Sequence, residues 1–170
     1  MARFSLSPKF IKEVIMLFRE RSLHDIIFGK RVTFAEKEEK ILKWIHGNQA
    51  QFKAAGGRTG HFVRIGPIHN GVGTVYVLPN KLGDERNESL VLFGDDTRIT
   101  QGPDLWIYLS PNQNIKKEGL GDVLRLELIK GNKGGQTYVV KKPIAALGNY
   151  KSVVIWCKQF STLFSFAPLS

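Results

Sequence analysis

Two stretches near the amino terminus carry apolar residues at the spacing of one helix face. Ser7 and Pro8 are typical of a helix start, and a stripe of large apolar residues follows them: Phe10, Ile11, Val14, Ile15 and Phe18. Thr33 followed by Glu36 matches a capping box for a second helix. Its apolar face holds Phe34, Ile41, Trp44 and Ile45. The pattern predicts a helical extension over residues 1–58 that ends in a glycine-containing linker.

From residue 59 the pattern changes to short apolar runs separated by glycine and proline turns, which is typical of strands. We predict strands at His61–Ile65, Gly73–Leu78, Ser89–Phe93, Leu105–Leu109, Val123–Ile129, Thr137–Val140, Lys151–Cys157 and Phe160–Phe166. In the run from 123 to 129, charged residues alternate with leucines, which indicates one solvated face.

Two stretches, Leu105–Leu109 and Val153–Trp156 within the run Lys151–Cys157, are apolar on both faces, so we predict that they belong to central strands. The core they share is expected to include Trp106, Ile107, Ile155 and Trp156. The fold class is therefore mainly β: an antiparallel β-sandwich or jelly-roll-like domain over residues 59–170, preceded by two amphipathic helices.

The composition fits one globular protein with a sizeable core: 170 residues, of which 42% are hydrophobic and 24% charged. No uncharged apolar run reaches the roughly 18 residues that a membrane-spanning helix needs, so no transmembrane segment is predicted. The residues after Met1 lack the pattern of a secretory signal. This favours an intracellular or organellar location.

The formal net charge is +10, which favours acidic partners. Lysine and arginine are spread along the chain, with doublets at Lys30-Arg31, Lys116-Lys117 and Lys141-Lys142. The interleaving of exposed aromatic and basic residues that marks single-strand binders is not evident. We therefore expect a protein partner or larger assembly, and keep nucleic acid and an anionic membrane surface as alternatives.

The sequence offers little for metal or hydrolytic chemistry. His61 and His69 could converge if their strands form a hairpin, and Cys157 could join them as a third ligand. Isolated histidines are more often surface or hydrogen-bonded residues, so no metal site is predicted. No G-x-S-x-G motif is present. The glycine-rich run from Gly131 to Gly135 lacks the Lys-Ser/Thr of a phosphate loop and is predicted to be a hairpin turn. The chain is not predicted to be an enzyme.

Three acidic residues, Asp95, Asp96 and Asp104, lie close together in the sequence. Carboxylates at this spacing are candidates for a hard cation such as Ca²⁺. Aspartate side chains also stabilise turns by accepting hydrogen bonds from nearby backbone groups. We predict the second role.

Cys157 is the only cysteine, which excludes an intrachain disulfide. One interpretation is a buried, small apolar residue, because Val153 and Ile155 share its face of the strand. The other is a reactive thiolate or soft ligand, which requires partial exposure and a nearby positive charge. Lys158 is the basic residue next to it in the sequence.

A set of short motifs in order carries a resemblance over residues 60–169. They are Gly60-His61-Phe62, His69, Gly71-Val72-Gly73-Thr74-Val75, Leu90-Val91-Leu92-Phe93, Gly102-Pro103-Asp104-Leu105-Trp106-Ile107-Tyr108-Leu109, Leu128, Lys130-Gly131, Gly135-Gln136-Thr137-Tyr138, Tyr150, Ser152-Val153-Val154-Ile155-Trp156-Cys157, Phe160, Phe164, Ala167 and Leu169. In this order and spacing the chain resembles the DM-thirteen domain, a small β domain proposed to take part in electron transfer.

The resemblance implies a redox or electron-transfer module centred on Cys157. The cysteine of that family is proposed to act as a free thiol or as the ligand of a prosthetic group such as haem. Cys157 matches it here, and His69 is our candidate for a second residue at a cofactor. The family is mostly extracytoplasmic. The alternative function is a structural or interaction subunit of a larger assembly that docks through its basic helical extension.

Overall fold

The computed structural model describes residues 29–80 and 87–170, so the first predicted helix lies outside the described residues. The second predicted helix is present as α1, Glu36–Gly47, followed by α2, Gln49–Ala54. The predicted capping box is wrong, because the N-cap is Ala35 and no side chain caps the helix. Glu36, Glu38 and Glu39 in the first turn stabilise this end through the helix dipole instead.

The strands form two four-stranded antiparallel sheets and one small ribbon. They are β1 Arg58–His61, β2 Gly71–Val72, β3 Thr74–Pro79, β4 Ser89–Phe93, β5 Arg98–Ile99, β6 Leu105–Ser110, β7 Leu124–Leu128, β8 Gln136–Val140, β9 Ser152–Cys157 and β10 Thr162–Pro168. Sheet I has the order β1-β3-β4-β8, sheet II has the order β10-β9-β6-β7, and β2 pairs with β5. A short helix α3, Ile115–Glu118, and a 3-10 helix, Ile144–Leu147, lie in connections.

The predicted fold class is confirmed: the protein is mainly β, with two antiparallel sheets packed as a sandwich. The main core lies between the sheets. Sheet I contributes Val75, Val77, Val91, Phe93, Tyr138 and Val140, and sheet II contributes Leu105, Ile107, Leu109, Val153, Ile155, Cys157 and Phe164. The division into a helical part and a β part near residue 58 stays a prediction.

The two doubly apolar runs are the central strands β6 and β9 of sheet II, as predicted. Ile107 and Ile155 are fully buried between the sheets. The placement of Trp106 and Trp156 in that core is wrong, because both lie half-buried on the outer face of sheet II, paired across the two strands. Side chains of neighbouring residues alternate across a strand, so Trp156 and Ile155 have to point to opposite faces.

The strand predicted at His61–Ile65 is displaced toward the amino terminus. β1 begins at Arg58, whose guanidinium donates hydrogen bonds to the carbonyls of Tyr150 and Leu147, at 2.5 and 2.9 Å. Burial lowers the pKa of this guanidinium from its ordinary value. After His61 the chain keeps only an isolated bridge between Val63 and Phe166. Local apolar pattern did not reveal this shift, because the arginine contacts are remote in sequence.

The prediction of a hairpin turn from Gly131 to Gly135 is wrong. β7, before this run, belongs to sheet II and β8, after it, belongs to sheet I, so the run connects the two layers. It also pairs with the segment before α1: the amide of Asn132 donates to Lys30 O at 2.8 Å, and that of Val32 to Lys133 O at 2.8 Å. The glycine-rich run therefore carries the chain from sheet II to sheet I and pairs there with the backbone of the segment before α1.

Helices α1 and α2 pack on the outer face of sheet I. Ile45 and Phe52 are buried there against Tyr76, Leu78 and Leu90. Of the predicted apolar face, Ile45 is buried and Phe34 and Ile41 are partly buried, whereas Trp44 stays 40% exposed. Burying one such side chain contributes about 1.5–3 kcal/mol. No described helix is long and apolar enough to cross a membrane.

Strand β1 also joins the two sheets along one edge. Thr59 and Ser170 exchange two backbone hydrogen bonds of 3.0 Å, and the amide of Val63 donates to Phe166 O at 2.8 Å. Gly60 lies so close to the carbonyl oxygen of Pro168 that a β-carbon would overlap it. β1 of sheet I and the residues after it therefore cover the carboxyl-terminal end of the edge strand β10 of sheet II.

Candidate functional site

Cys157 is the last residue of β9 and lies on an inner strand of sheet II. Its side chain is 0% exposed and belongs to the main core cluster, together with Val153 and Ile155 of the same strand. Its Cα partners are Leu105 on β6 and Thr162 on β10. Of the two interpretations, the structure agrees with the buried residue in position: the thiol is shielded from solvent and lacks the partial exposure that the other requires.

The connection between β9 and β10 lies directly beside this thiol. Ser161 has φ 47, the one left-handed non-glycine among the described residues. Such a backbone costs a residue with a β-carbon about 1–2 kcal/mol. Phe160, just before it, has 61% of its surface exposed although it is a large apolar residue. Cys157 is thus close to a strained turn at one end of an edge strand.

Lys158, the expected positive neighbour, does not face the thiol. Its ammonium nitrogen lies 5.4 Å from the centroid of the Trp106 ring, a cation–π contact on the outer face of sheet II. The side chain of Cys157 lies on the inner face, in the core. The Trp106 indole in turn donates a 2.7 Å hydrogen bond to Asp104. Lys158 therefore contributes to the outer face rather than to the environment of the sulfur.

His69 lies in the loop before β2, and its ring contacts the core through Phe164, with ring centroids 4.3 Å apart. Phe164 is buried in the same core cluster as Cys157. Among the described interactions, no hydrogen bond, ion pair or ring contact joins His69 to Cys157. His69 thus contacts, through Phe164, the core cluster to which Cys157 also belongs, and none of the described contacts joins the two predicted site residues directly.

His61, Thr74 and Asp96 form a polar cluster at the start of β3. Asp96 accepts two hydrogen bonds from Thr74, 3.0 Å from its amide and 2.8 Å from its hydroxyl. The same hydroxyl lies 3.4 Å from His61 Nδ1. Asp96 thus joins the turn after β4 to Thr74 at the start of β3, a contact remote in sequence, and the predicted local role of the aspartates in their own turn stays a prediction. Within residues 29–80 and 87–170, no three metal-ligating side chains form a group that would hold a metal ion.

The surroundings of Cys157 do not fit a haem. The residue lies among closely packed aliphatic and aromatic side chains, and a haem needs an open face at its axial ligand. Cys157 does not line the cavities beside Trp44, Trp106, Arg98 and Arg125. No step through a haem is therefore derived for this chain.

Sequence reasoning missed one arrangement of chemical interest. Arg64, Arg98 and Lys133 are far apart in the sequence, but the structure brings them to one cavity of about 430 Å³. No local motif reveals this, because their proximity depends on pairing of β5 with the crossing segment after β7. The spread of basic residues along the chain thus conceals a cluster in space.

The fold and the site define a class: an antiparallel β-sandwich with one thiol buried at the end of an inner strand. A family model described as Electron transfer DM13 matches residues 61–169, which is well over half of the chain. The chain belongs to this family, and the resemblance found in the sequence is confirmed. No curated protein and no solved structure gave a significant match. The family match suggests a role in electron transfer.

Proposed function

We propose that the protein is a non-enzymatic electron-transfer module whose redox-active group is Cys157. The observation that carries the proposal is the match to the electron-transfer family over residues 61–169. Cys157 is the only cysteine in the chain, so the thiol has to exchange electrons with an external group. The polar cluster around Asp96 and His61 lacks a group of metal ligands that would provide an alternative centre.

The proposed step is thiol–disulfide exchange with the disulfide of a partner. The sulfur of Cys157 loses its proton to water and forms a bond to one sulfur of that disulfide. The partner's S–S bond breaks, and its second sulfur leaves as a thiolate that takes up a proton. An external thiolate then attacks the partner's sulfur of this mixed disulfide: a disulfide forms between these two sulfurs, the bond to Cys157 breaks, and Cys157 leaves as a thiolate that takes up a proton. The external sulfur is thereby oxidised and the partner's leaving sulfur reduced, and Cys157 is regenerated.

The burial of Cys157 makes this step depend on a local opening. The closed sandwich blocks the sulfur, and attack requires an accessible thiolate. Cys157 pairs with Thr162, the first residue of β10, and the strained Ser161 lies between them in the turn. Segments at such turns open at a lower free energy than the whole domain. We expect the thiol to become reactive when the start of β10 separates from β9.

The reaction of Cys157 with an aromatic disulfide reagent tests this proposal. In the intact protein we expect Cys157 to react at least about a thousandfold more slowly than free cysteine. Because a local opening exposes little new surface, the reaction rate should change little at low denaturant concentrations. Ser161→Gly is expected to slow the reaction about two- to fivefold, because glycine removes the left-handed strain and stabilises the closed turn.

Ser161→Ala is the matched control, since it removes the hydroxyl but keeps the backbone penalty, and its rate should equal that of the unchanged protein. Cys157→Ser should show no labelling at all. If labelling instead follows global unfolding over the whole denaturant range, Cys157 is an inert core residue and the proposed centre is wrong.

An apolar groove beside α1 favours a second role. It has a volume of about 340 Å³ and is lined by Ile41, Phe52, Leu78, Leu90 and other apolar residues, with Lys37 and Lys40 at its border. Trp44, which also lines it, has 40% of its surface exposed. Large exposed aromatic residues beside an apolar groove are typical of docking sites for helices.

We propose as this second role that the groove docks an amphipathic acidic helix of a partner protein. The lysines supply the charge complementarity, because the only ion pair of Lys40 is an exposed one to Glu36, at 2.7 Å, among the described residues. Such an exposed pair is weak and can exchange partners. This role corresponds to an interaction subunit and does not depend on Cys157.

Fluorescence titration with a synthetic helix that has a leucine face and a glutamate face tests the second role. Trp44 emission is expected to shift to shorter wavelength, a signal that Trp44→Phe removes. Lys37→Gln combined with Lys40→Gln should weaken binding about two- to tenfold, and Lys116→Gln should not. Equal binding of a helix with lysines in place of the glutamates would contradict the charge argument. Cys157→Ser should leave this binding unchanged.

A further inference from the structure

We infer that the cavity lined by Arg64, Arg98 and Lys133 binds a small phosphorylated anion. The cavity has a volume of about 430 Å³ and lies where the ribbon β2-β5 meets the segment that crosses between the sheets. Pockets that bind small molecules have volumes of about 300–1,000 Å³. The volume of the cavity therefore suits a small, compact ligand rather than a long polymer. This inference is independent of Cys157 and of the groove beside α1.

Backbone pairing fixes the walls of the cavity. The amide of Ile99 donates to Asn132 O at 2.8 Å, that of Gly134 donates to Thr97 O at 3.0 Å, and Arg98 forms a bridge with Lys133. Asn132 is 2% exposed, and its amide nitrogen lies 3.3 Å from Ile99 O. A residue held in this way gives the cavity a fixed polar wall, and rigid walls are what a preformed anion site requires.

The opposite wall is held by a second set of hydrogen bonds. Asn70 and Thr100 are joined by bonds from the Asn70 amide to the Thr100 hydroxyl, 3.0 Å, and from the Thr100 amide to Asn70 O, 2.9 Å. The Asn70 side chain also accepts a 3.3 Å bond from the amide of Gly66. This loop brings Arg64 toward the ribbon, where it lines the same cavity as Arg98.

The charges around the cavity are of one sign. Three cations line it, and none of its described lining residues is acidic. Asp96 is two residues from Arg98 in the sequence, but both of its carboxylate oxygens accept hydrogen bonds from Thr74. Arg64 and Arg98 are exposed and form no ion pair with a described carboxylate. The two guanidinium groups are therefore available to an external anion.

The chemistry of these side chains selects the phosphoryl group. Arginine donates in a planar fork that matches phosphate oxygens, and lysine adds a point charge. A phosphate ester carries about two negative charges at neutral pH. Two arginines and one lysine around a single cavity thus match a phosphate ester or a diphosphate in charge. A free metabolite and the exposed headgroup of a lipid share this chemistry.

Calorimetric titration of the full chain with inorganic pyrophosphate, at about 0.15 M ionic strength, tests the inference. Pyrophosphate is expected to bind at one site. Arg64→Gln combined with Arg98→Gln should weaken binding about tenfold or more, because two charge-assisted contacts are removed. Arg64→Lys with Arg98→Lys should give an intermediate loss, since it keeps the charge but removes the fork.

Lys116→Gln combined with Lys142→Gln is the control, because it removes the same net charge from other exposed sites. Vesicles that contain phosphatidic acid provide a second arm: binding that needs the same arginines identifies a lipid headgroup as the source of the phosphate. The inference is overturned if neither probe binds or if the control loses as much affinity as the cavity variant. Binding of a single-stranded RNA alone, without pyrophosphate or vesicles, would overturn it too.

Discussion

Phe93→Ala is expected to lower the free energy of unfolding by about 3–5 kcal/mol, as for other buried phenylalanines. Phe93 is fully buried on β4 between the two sheets. Its ring lies 5.1 Å from that of Phe62, at 90°, and 5.3 Å from that of Tyr138. Removal of the ring leaves a cavity and breaks both aromatic contacts. Denaturant unfolding followed by circular dichroism measures the loss.

Phe160→Ala is the matched control, because the same truncation is made where 61% of the residue surface is exposed. Its effect should stay within about 0.5 kcal/mol. A similar loss for both variants would mean that the core does not lie between the sheets at Phe93. Phe93→Leu, which keeps most of the buried volume, should recover a large part of the stability.

Gly134→Ala is expected to destabilise the protein by about 2–4 kcal/mol. Gly134 has φ +89, which costs a residue with a β-carbon about 1–2 kcal/mol. The added carbon would also overlap the carbonyl oxygen of Val32. Val32 lies in the segment before α1, which is hydrogen-bonded to the run that connects sheet II to sheet I. Moving Val32 away from the added carbon therefore has to break backbone hydrogen bonds between these two segments. Denaturant unfolding measures the change in stability, and faster hydrogen exchange of the Val32 amide measures the loss of its hydrogen bond.

Gly47→Ala is the control for this substitution. Gly47 is the last residue of α1, and apart from its chain neighbours and the backbone of its own helix no described atom lies within 4 Å of the position its β-carbon would take. Alanine is expected to raise stability by up to about 1 kcal/mol at a helical position. If Gly134→Ala were as well tolerated as Gly47→Ala, the close contact between Gly134 and the carbonyl oxygen of Val32 would be incorrect.

The sequence was sufficient for the features that depend on local pattern. The sandwich class and the central position of β6 and β9 follow from runs that are apolar on both faces. The exposed Arg125 and Glu127 of β7 follow from alternation. The burial of Cys157 follows from its strand neighbours Val153 and Ile155. In each case the physical cause, burial of one or both strand faces, acts within a few residues.

The remaining features depend on contacts between distant residues. Trp106 and Trp156 look like core residues, yet a doubly apolar strand has two apolar faces and the pattern does not say which one lies inside. β1 begins at Arg58 because of carbonyls that are about ninety residues away. The basic cluster of Arg64, Arg98 and Lys133 likewise forms only when the segment that connects sheet II to sheet I packs beside β5.

The closure of one sandwich edge by β1 affects how copies of this protein meet. Strands at a sheet edge present unpaired backbone groups that invite pairing with another molecule and so promote aggregation. At the carboxyl-terminal end of β10, the amide of Val63 donates to Phe166 O, and Thr59 and Ser170 exchange hydrogen bonds just beyond the strand, so backbone groups there are paired. At the edge strand β7 of sheet II, the charges of Arg125 and Glu127 disfavour such pairing. The protein thus protects one side of the sandwich by backbone hydrogen bonds within its own chain and the other by charge.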